Sequence, residues 1–62
     1  MKCEELIKLL LRDGWFVFRQ SGSHMIMRHP KKDGQIVVPN HGSSEVGTGL
    51  QNKILKDAGL KP

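Results

Sequence analysis

Apolar residues near the start of the chain recur with helical spacing. The i, i+3, i+4, i+7 spacing of an amphipathic helix is followed by Cys3, Leu6, Ile7 and Leu10. The pattern predicts a helix over residues 3–13 whose apolar stripe faces a core. Gly14 follows directly, and a glycine at this position is a common way to end a helix.

Three short apolar segments come next, and turn-forming residues separate them. The segments are residues 15–20, 24–29 and 35–38, and each is short enough to be a strand. The first turn is Ser21-Gly22-Ser23, and the second is the polar stretch 31–34, which ends in Asp-Gly. Because both connections are short, the three strands are expected to form an antiparallel meander.

The last third of the chain predicts a second helix, which runs from Thr48 to about Ala58. Thr48-Gly49-Leu50-Gln51 matches a capping box, and Gly59 is placed to end the helix. Leu60 can then pack back against the helix end. The predicted core face consists of Leu50, Ile54, Leu55 and Ala58.

The predicted element order is α-β-β-β-α in a single domain spanning residues 1–62. This is an α+β class, in which two helices cover one face of a three-stranded antiparallel sheet. On the second strand, Met25 and Met27 share one side and are predicted to be core, which turns His24 and Arg28 to the open side. The first strand is apolar on both sides, so its phase stays undecided at this point.

Charge and cysteine content narrow the function classes. Ten Lys and Arg residues against six Asp and Glu give a net charge of +4, which favours a polyanionic partner such as nucleic acid. The single cysteine, Cys3, excludes an internal disulfide and suggests a reducing, cytoplasmic compartment. The histidine spacing H-x4-H-x11-H does not match a zinc site, and no cofactor motif is present. No apolar run approaches the roughly 20 residues of a membrane span, so no membrane association is expected.

His24 is the candidate catalytic residue. Histidine side chains exchange protons near neutral pH. Cleaving RNA without a metal requires a base for the ribose 2′-hydroxyl, an acid for the leaving 5′-oxygen and positive charge near the phosphate. The Gly22-Ser23 turn lets backbone N–H groups approach a phosphate closely. His41 and His29 are alternatives for a second proton-transfer group, beside a lysine or water. The candidate RNA-binding cations are Arg19, Arg28, Lys31, Lys32, Lys53 and Lys56.

Several short motifs in chain order carry a family resemblance. They are Gly14-Trp15, Arg19-Gln20, Gly22-Ser23-His24, His29-Pro30, Gly34, Val38-Pro39, His41, Glu45, Gly47-Thr48 and Ile54-Leu55-Lys56-x-Ala58-Gly59-Leu60. In this respect the chain resembles the HicA toxins, the small mRNA interferases of HicA–HicB toxin–antitoxin pairs. The resemblance implies a double-stranded-RNA-binding-domain-like fold and metal-independent mRNA cleavage with His24 as the catalytic residue. It also implies inhibition by a HicB-type antitoxin that covers the histidine-bearing surface.

Two other functions are compatible with the same residues. A domain of this fold can hold RNA by its shape and its 2′-hydroxyl groups without cutting it. A protein-interaction module would use only the apolar part of the open face. His24 favours the nuclease, because binding alone requires no titrating group on that face.

Overall fold

A computed structural model describes residues 1–61 and has the element order predicted from the sequence. Helix α1 spans Cys3–Asp13, and helix α2 spans Thr48–Asp57. Strands β1 (Phe16–Ser21), β2 (His24–His29) and β3 (Lys32–Pro39) lie between them. The strands form one antiparallel sheet in the order β1-β2-β3, so β2 is the central strand. The predicted α+β class is confirmed.

Both helices cover the same face of the sheet. The inward side chains of β2 and β3 form one buried cluster with the apolar stripes of α1 and α2. Its members are Cys3, Leu6, Leu10, Trp15, Met25, Met27, Ile36, Val38, Val46, Ile54 and Ala58. Met27, Val38, Leu6 and Leu10 are the fully enclosed centre of this cluster. The other side of the sheet is left without a cover, and we call it the open face.

Both helices end in the way the glycines predict. After α1, the amide N–H of Gly14 donates to Leu11 and that of Trp15 to Leu10, with Gly14 in the left-handed region at φ +111°. After α2, Gly59 and Leu60 form the same pair of bonds to Lys56 and Leu55. Both ends are Schellman motifs, and the first one places the Trp15 side chain in the core.

The beginning of α2 differs from the prediction. The residue that caps α2 is Gly47 rather than Thr48, and no side chain makes a capping hydrogen bond there. Leu50, predicted as core, is 45% exposed, because Val46 fills the core at this end. The remaining core positions of α2 are confirmed, with Ile54 and Ala58 buried and Leu55 partly buried.

The turn between β2 and β3 also lies at a different position from the predicted one, residues 31–34. His29 pairs with Lys32, so the turn residues are Pro30 and Lys31. Asp33 and Gly34 are extra residues on β3 that lie between two cross-strand pairs and form a bulge. Gly34 has φ +81°, a conformation that glycine adopts without steric cost. The Asp-Gly pair therefore serves a bulge, whereas proline's fixed φ suits the turn itself.

Candidate functional site

The structure holds His24 at the first position of β2, directly after a tight turn. Ser21 pairs with His24, and Gly22-Ser23 connects them. Gly22 has φ +59° while Ser23 has a negative φ, the sign pattern of a type II′ hairpin turn. On its other side, His24 pairs with Pro39 of β3. Hydrogen-bonded strands thus hold the His24 backbone on both sides.

The imidazole of His24 points to the open face. Met25 and Met27 are buried on the inward side, and strand alternation turns His24, Ile26 and Arg28 outward. His24 is exposed. The predicted orientations of His24 and Arg28 are therefore confirmed.

The open face combines apolar, aromatic and basic side chains. Most residues of the open face are identified by their cross-strand pairing with the outward residues of β2. Phe18 is included because its ring contacts Arg28. The open face consists of Phe16, Phe18, Arg19, Ser21, His24, Ile26, Arg28, Gln35, Val37 and Pro39. No carboxylate is in this set, and Asp33, in the bulge of β3, lies at its edge beside Arg28 and Gln35.

His41 lies at the same end of the sheet as His24. The amide N–H of Asn40 donates to the carbonyl of Ser23 at 2.7 Å, which continues the pairing beyond the Pro39–His24 position. His41 is the next residue, and it is exposed in the loop before α2. Two exposed histidines therefore flank the Gly22-Ser23 turn.

His29 has a structural environment instead. Its side chain is 8% exposed and lies edge-on against the ring of Trp15, with ring centroids 5.4 Å apart. The amide N–H of Lys31 donates to Nδ1, so Nε2 carries the proton and donates to the carbonyl of Asp13 at 2.8 Å. Both ring nitrogens are thus engaged. His29 also lies five strand residues from His24, or roughly 16 Å, too far to act on the same phosphodiester bond.

Lys32 completes this structural cluster. Its ammonium donates to the Asp13 carboxylate at 2.6 Å and to the carbonyl of Ala58 at 2.8 Å. The hydrogen bond from Lys32, together with its charge, holds the pKa of Asp13 below its ordinary value, and partial desolvation opposes the shift. The ion pair therefore supports folding above that ordinary pKa, and its contribution is lost when Asp13 is protonated in acid.

This geometry changes two of the expected site assignments. Lys32 joins the end of α1, the start of β3 and the end of α2, so two of the three N–H donors of its ammonium are already engaged. His29 is likewise occupied by Asp13 and Lys31. Lys32 is therefore less available for RNA binding, and His29 less available for proton transfer, than the other candidate residues.

A comparison with protein families adds to this geometry. The family model described as HicA toxin of bacterial toxin–antitoxin systems matches residues 3–60. The chain belongs to the HicA toxin family. No curated protein matches the sequence.

The other candidate RNA-binding cations of this HicA-family chain are divided between the β-hairpins and α2. Arg19 and Arg28 belong to the open face, and Lys31 is exposed in the turn at the far end of β2. Lys53 and Lys56 lie on α2, which packs on the covered face, and Lys53 forms an exposed ion pair with Asp57 at 3.2 Å. The open face that contains His24 therefore includes Arg19 and Arg28, whereas Lys31 lies in the turn at its far end and neither lysine of α2 belongs to it.

Sequence reasoning missed one arrangement on the open face of this HicA-family chain. A bulge in β1 inserts Phe18 between the pairs made by Val17 and Arg19. The guanidinium carbon of Arg28 lies 3.6 Å from the centroid of the Phe18 ring, and Nε and Nη2 both donate to Gln35. The apolar run of β1 left the phase of this strand undecided, and no pattern in the sequence predicts the bulge.

Two kinds of feature are absent from residues 1–61. No group of three or more His, Cys, Asp or Glu side chains in this part of the chain is arranged to hold a metal ion. Neither helix within these residues has the length and apolar character needed to cross a bilayer.

Proposed function

We propose that this toxin is a metal-independent endoribonuclease that cleaves mRNA in the cytoplasm and so arrests translation and growth. The observation that carries the proposal is the position of His24. It is an exposed histidine at the end of a basic, aromatic surface that has no carboxylate. A ribonuclease of this kind requires a proton-transfer group next to bound RNA, and His24 is placed to serve as one.

In the proposed reaction, His24 removes the proton of a ribose 2′-hydroxyl. The 2′-oxygen attacks the adjacent phosphorus, and the bond from phosphorus to the 5′-oxygen breaks. The leaving oxygen takes a proton from an acid, for which His41 or water is available at this end of the sheet. The products are a 2′,3′-cyclic phosphate and a 5′-hydroxyl, and no redox partner is needed.

The Gly22-Ser23 turn is suited to hold the phosphate during this reaction. The carbonyl oxygen of Gly22 accepts from the Gln20 side chain at 3.0 Å, and that of Ser23 accepts from Asn40 at 2.7 Å. With both carbonyls occupied, the groups that the turn offers an anion are N–H donors. Apart from Gly22 and its two chain neighbours, no heavy atom of residues 1–61 lies within 4 Å of the position that a Gly22 side chain would take, so a ligand can approach the backbone there.

RNA binding without cleavage is the second candidate function. The absence of carboxylates from the open face favours RNA binding whether or not the chain cuts. Labelled RNA incubated with the protein in excess EDTA separates the candidates. Cleavage supports the nuclease, whereas a mobility shift without cleavage supports a binding module. A result with neither contradicts both.

RNA binding is expected to weaken with salt. If Arg19 and Lys31 neutralise backbone charge, the slope of log K against log salt is roughly −1.4, at about −0.7 per contact on single strands. Binding is measured by fluorescence anisotropy in a His24→Ala background, so that the RNA stays intact. Arg19→Gln is expected to reduce the slope by about 0.7. Lys8→Gln, an exposed change on α1, is the control. Salt-independent binding contradicts the assignment.

We also propose that a HicB-type antitoxin inhibits this toxin by covering the open face. Val37 is 50% exposed on that face, and Leu11 is 49% exposed on α1, so the two are matched apolar probes. Val37→Arg is expected to weaken antitoxin binding about tenfold or more, since a buried charge at an interface centre is costly. Leu11→Arg is expected to leave it unchanged. The opposite ranking, or a complex in which His24 stays exposed, refutes occlusion.

A further inference from the structure

The guanidinium of Arg28 is held in place across all three strands. It lies over the Phe18 ring of β1, belongs to the central strand β2, and donates two hydrogen bonds to Gln35 of β3 at 3.2 and 3.1 Å. A side chain held on both sides gives up little conformational entropy when it meets a ligand. Phe18 remains 48% exposed. The open face therefore presents a fixed planar cation beside an accessible aromatic ring.

The β3 bulge opens a cleft beside this group. The cleft has a volume of about 580 Å³ and is lined by Arg28, His29, Pro30, Lys32, Asp33, Gly34 and Gln35. His29 and Lys32 are engaged with Asp13, whereas Arg28 and Gln35 bond each other but keep further N–H donors. The polar side chains that the cleft offers a ligand are therefore chiefly Arg28, Asp33 and Gln35. These three include hydrogen-bond donors and acceptors. A phosphate would require donors alone, whereas the edge of a nucleobase presents both kinds of group.

We propose that Phe18, Arg28 and Gln35 form a subsite for one unpaired RNA base, separate from the phosphodiester bond at His24. The inference rests on the nuclease function proposed above and adds a residue set that selects the substrate. Arg28 lies four strand residues from His24, or roughly 13 Å along β2. The base is therefore a few nucleotides from the cleaved bond. Stacking on aromatic rings and arginine planes is how single-stranded RNA is commonly held.

The test is an abasic scan of an RNA with one cleavable linkage. The linkage is chosen from those that the wild-type protein cuts, and every other ribose carries a 2′-O-methyl group. Bases are then removed one at a time. With wild-type protein, one abasic position a few nucleotides from the cut is expected to lower kcat/KM roughly 10- to 100-fold, which is the effect of losing one stacked base.

Variants show whether that base lies on the proposed subsite. Phe18→Leu keeps the apolar bulk, and Arg28→Lys keeps the charge but removes the planar fork. In both variants the penalty for the abasic position is expected to disappear, because the contact is already lost. Arg12→Lys makes the same chemical change on α1 and is expected to retain the full penalty. A wild-type-sized penalty in both subsite variants overturns the subsite while leaving the nuclease proposal intact.

The subsite is testable even if the nuclease proposal fails. If the wild-type protein binds RNA without cutting it, the same scan is read as binding affinity on fully 2′-O-methylated RNA. An abasic penalty that Phe18→Leu and Arg28→Lys abolish then supports the subsite in an RNA-binding protein. A penalty that persists in both variants, or no penalty at any position, refutes it. A wild-type protein that neither cuts nor binds RNA refutes both proposals.

Discussion

His24→Ala is expected to lower the rate of RNA cleavage by roughly 10² to 10⁴, which is the usual contribution of a positioned proton-transfer group. Growth arrest in cells should disappear with it. The fold should be unaffected, because His24 is exposed and its neighbours Met25 and Met27 hold the core positions. Substitutions at such surface sites usually change stability by within about 0.5 kcal/mol. Single-turnover cleavage and thermal melting measure the two effects separately.

Two outcomes would contradict this expectation. A His24→Ala protein that cuts RNA at a near wild-type rate would remove His24 from the mechanism. One that is inactive because it no longer melts cooperatively would show that His24 is a structural residue. Unchanged antitoxin binding is the accompanying check that the variant keeps its native surface.

Trp15→Ala is expected to destabilise the fold severely. Trp15 is 2% exposed, and its ring contacts His29 edge-on and lies 5.9 Å from the Lys32 ammonium. Truncating a buried tryptophan typically costs about 3–5 kcal/mol. A 62-residue domain has on the order of 3–9 kcal/mol of stability. The melting temperature should therefore fall by at least about 12 °C.

Trp15→Phe is the matched control for this prediction. The indole N–H of Trp15 is buried and has no partner at hydrogen-bond distance and angle among residues 1–61, although its dipole helps to lower the pKa of the nearby Asp13 carboxyl. Phenylalanine keeps an aromatic ring against His29 and removes that unpaired donor, which is costly to bury. We expect it to melt much closer to wild type than Trp15→Ala does. Equal destabilisation by the two substitutions would contradict this account, because it would show that an aromatic ring at this position is not enough to stabilise the fold.

Patterns confined to one strand or helix predicted most of the fold. The alternation of Met25 and Met27 identified the covered face, and Gly14 and Gly59 marked both helix ends correctly. The errors occurred where local signals compete. The Thr48 capping box did not form, and Val46 took the core place predicted for Leu50. Asp33-Gly34 resembles a hairpin turn, but Pro30 fixes the turn earlier and leaves a bulge.

The candidate site was predictable only in part, for the same physical reason. The outward direction of His24 follows from strand alternation alone. The engagement of Lys32 depends on Asp13 and Ala58, which are distant in sequence and meet only in the folded chain. The Phe18–Arg28–Gln35 arrangement depends on two bulges whose positions depend on strand register. Side-chain partners of this kind require the tertiary structure.

The chemical ends of the RNA products test the central claim most directly. Wild-type protein is incubated with a defined RNA in excess EDTA, and the fragment ends are identified by mass spectrometry. Attack by the 2′-hydroxyl predicts 2′,3′-cyclic phosphate or derived phosphate ends together with 5′-hydroxyl ends. A single 2′-deoxy substitution at the cut position should abolish cleavage there. Fragments with 3′-hydroxyl and 5′-phosphate ends, or cleavage that persists at the 2′-deoxy position, would contradict the mechanism assigned to His24.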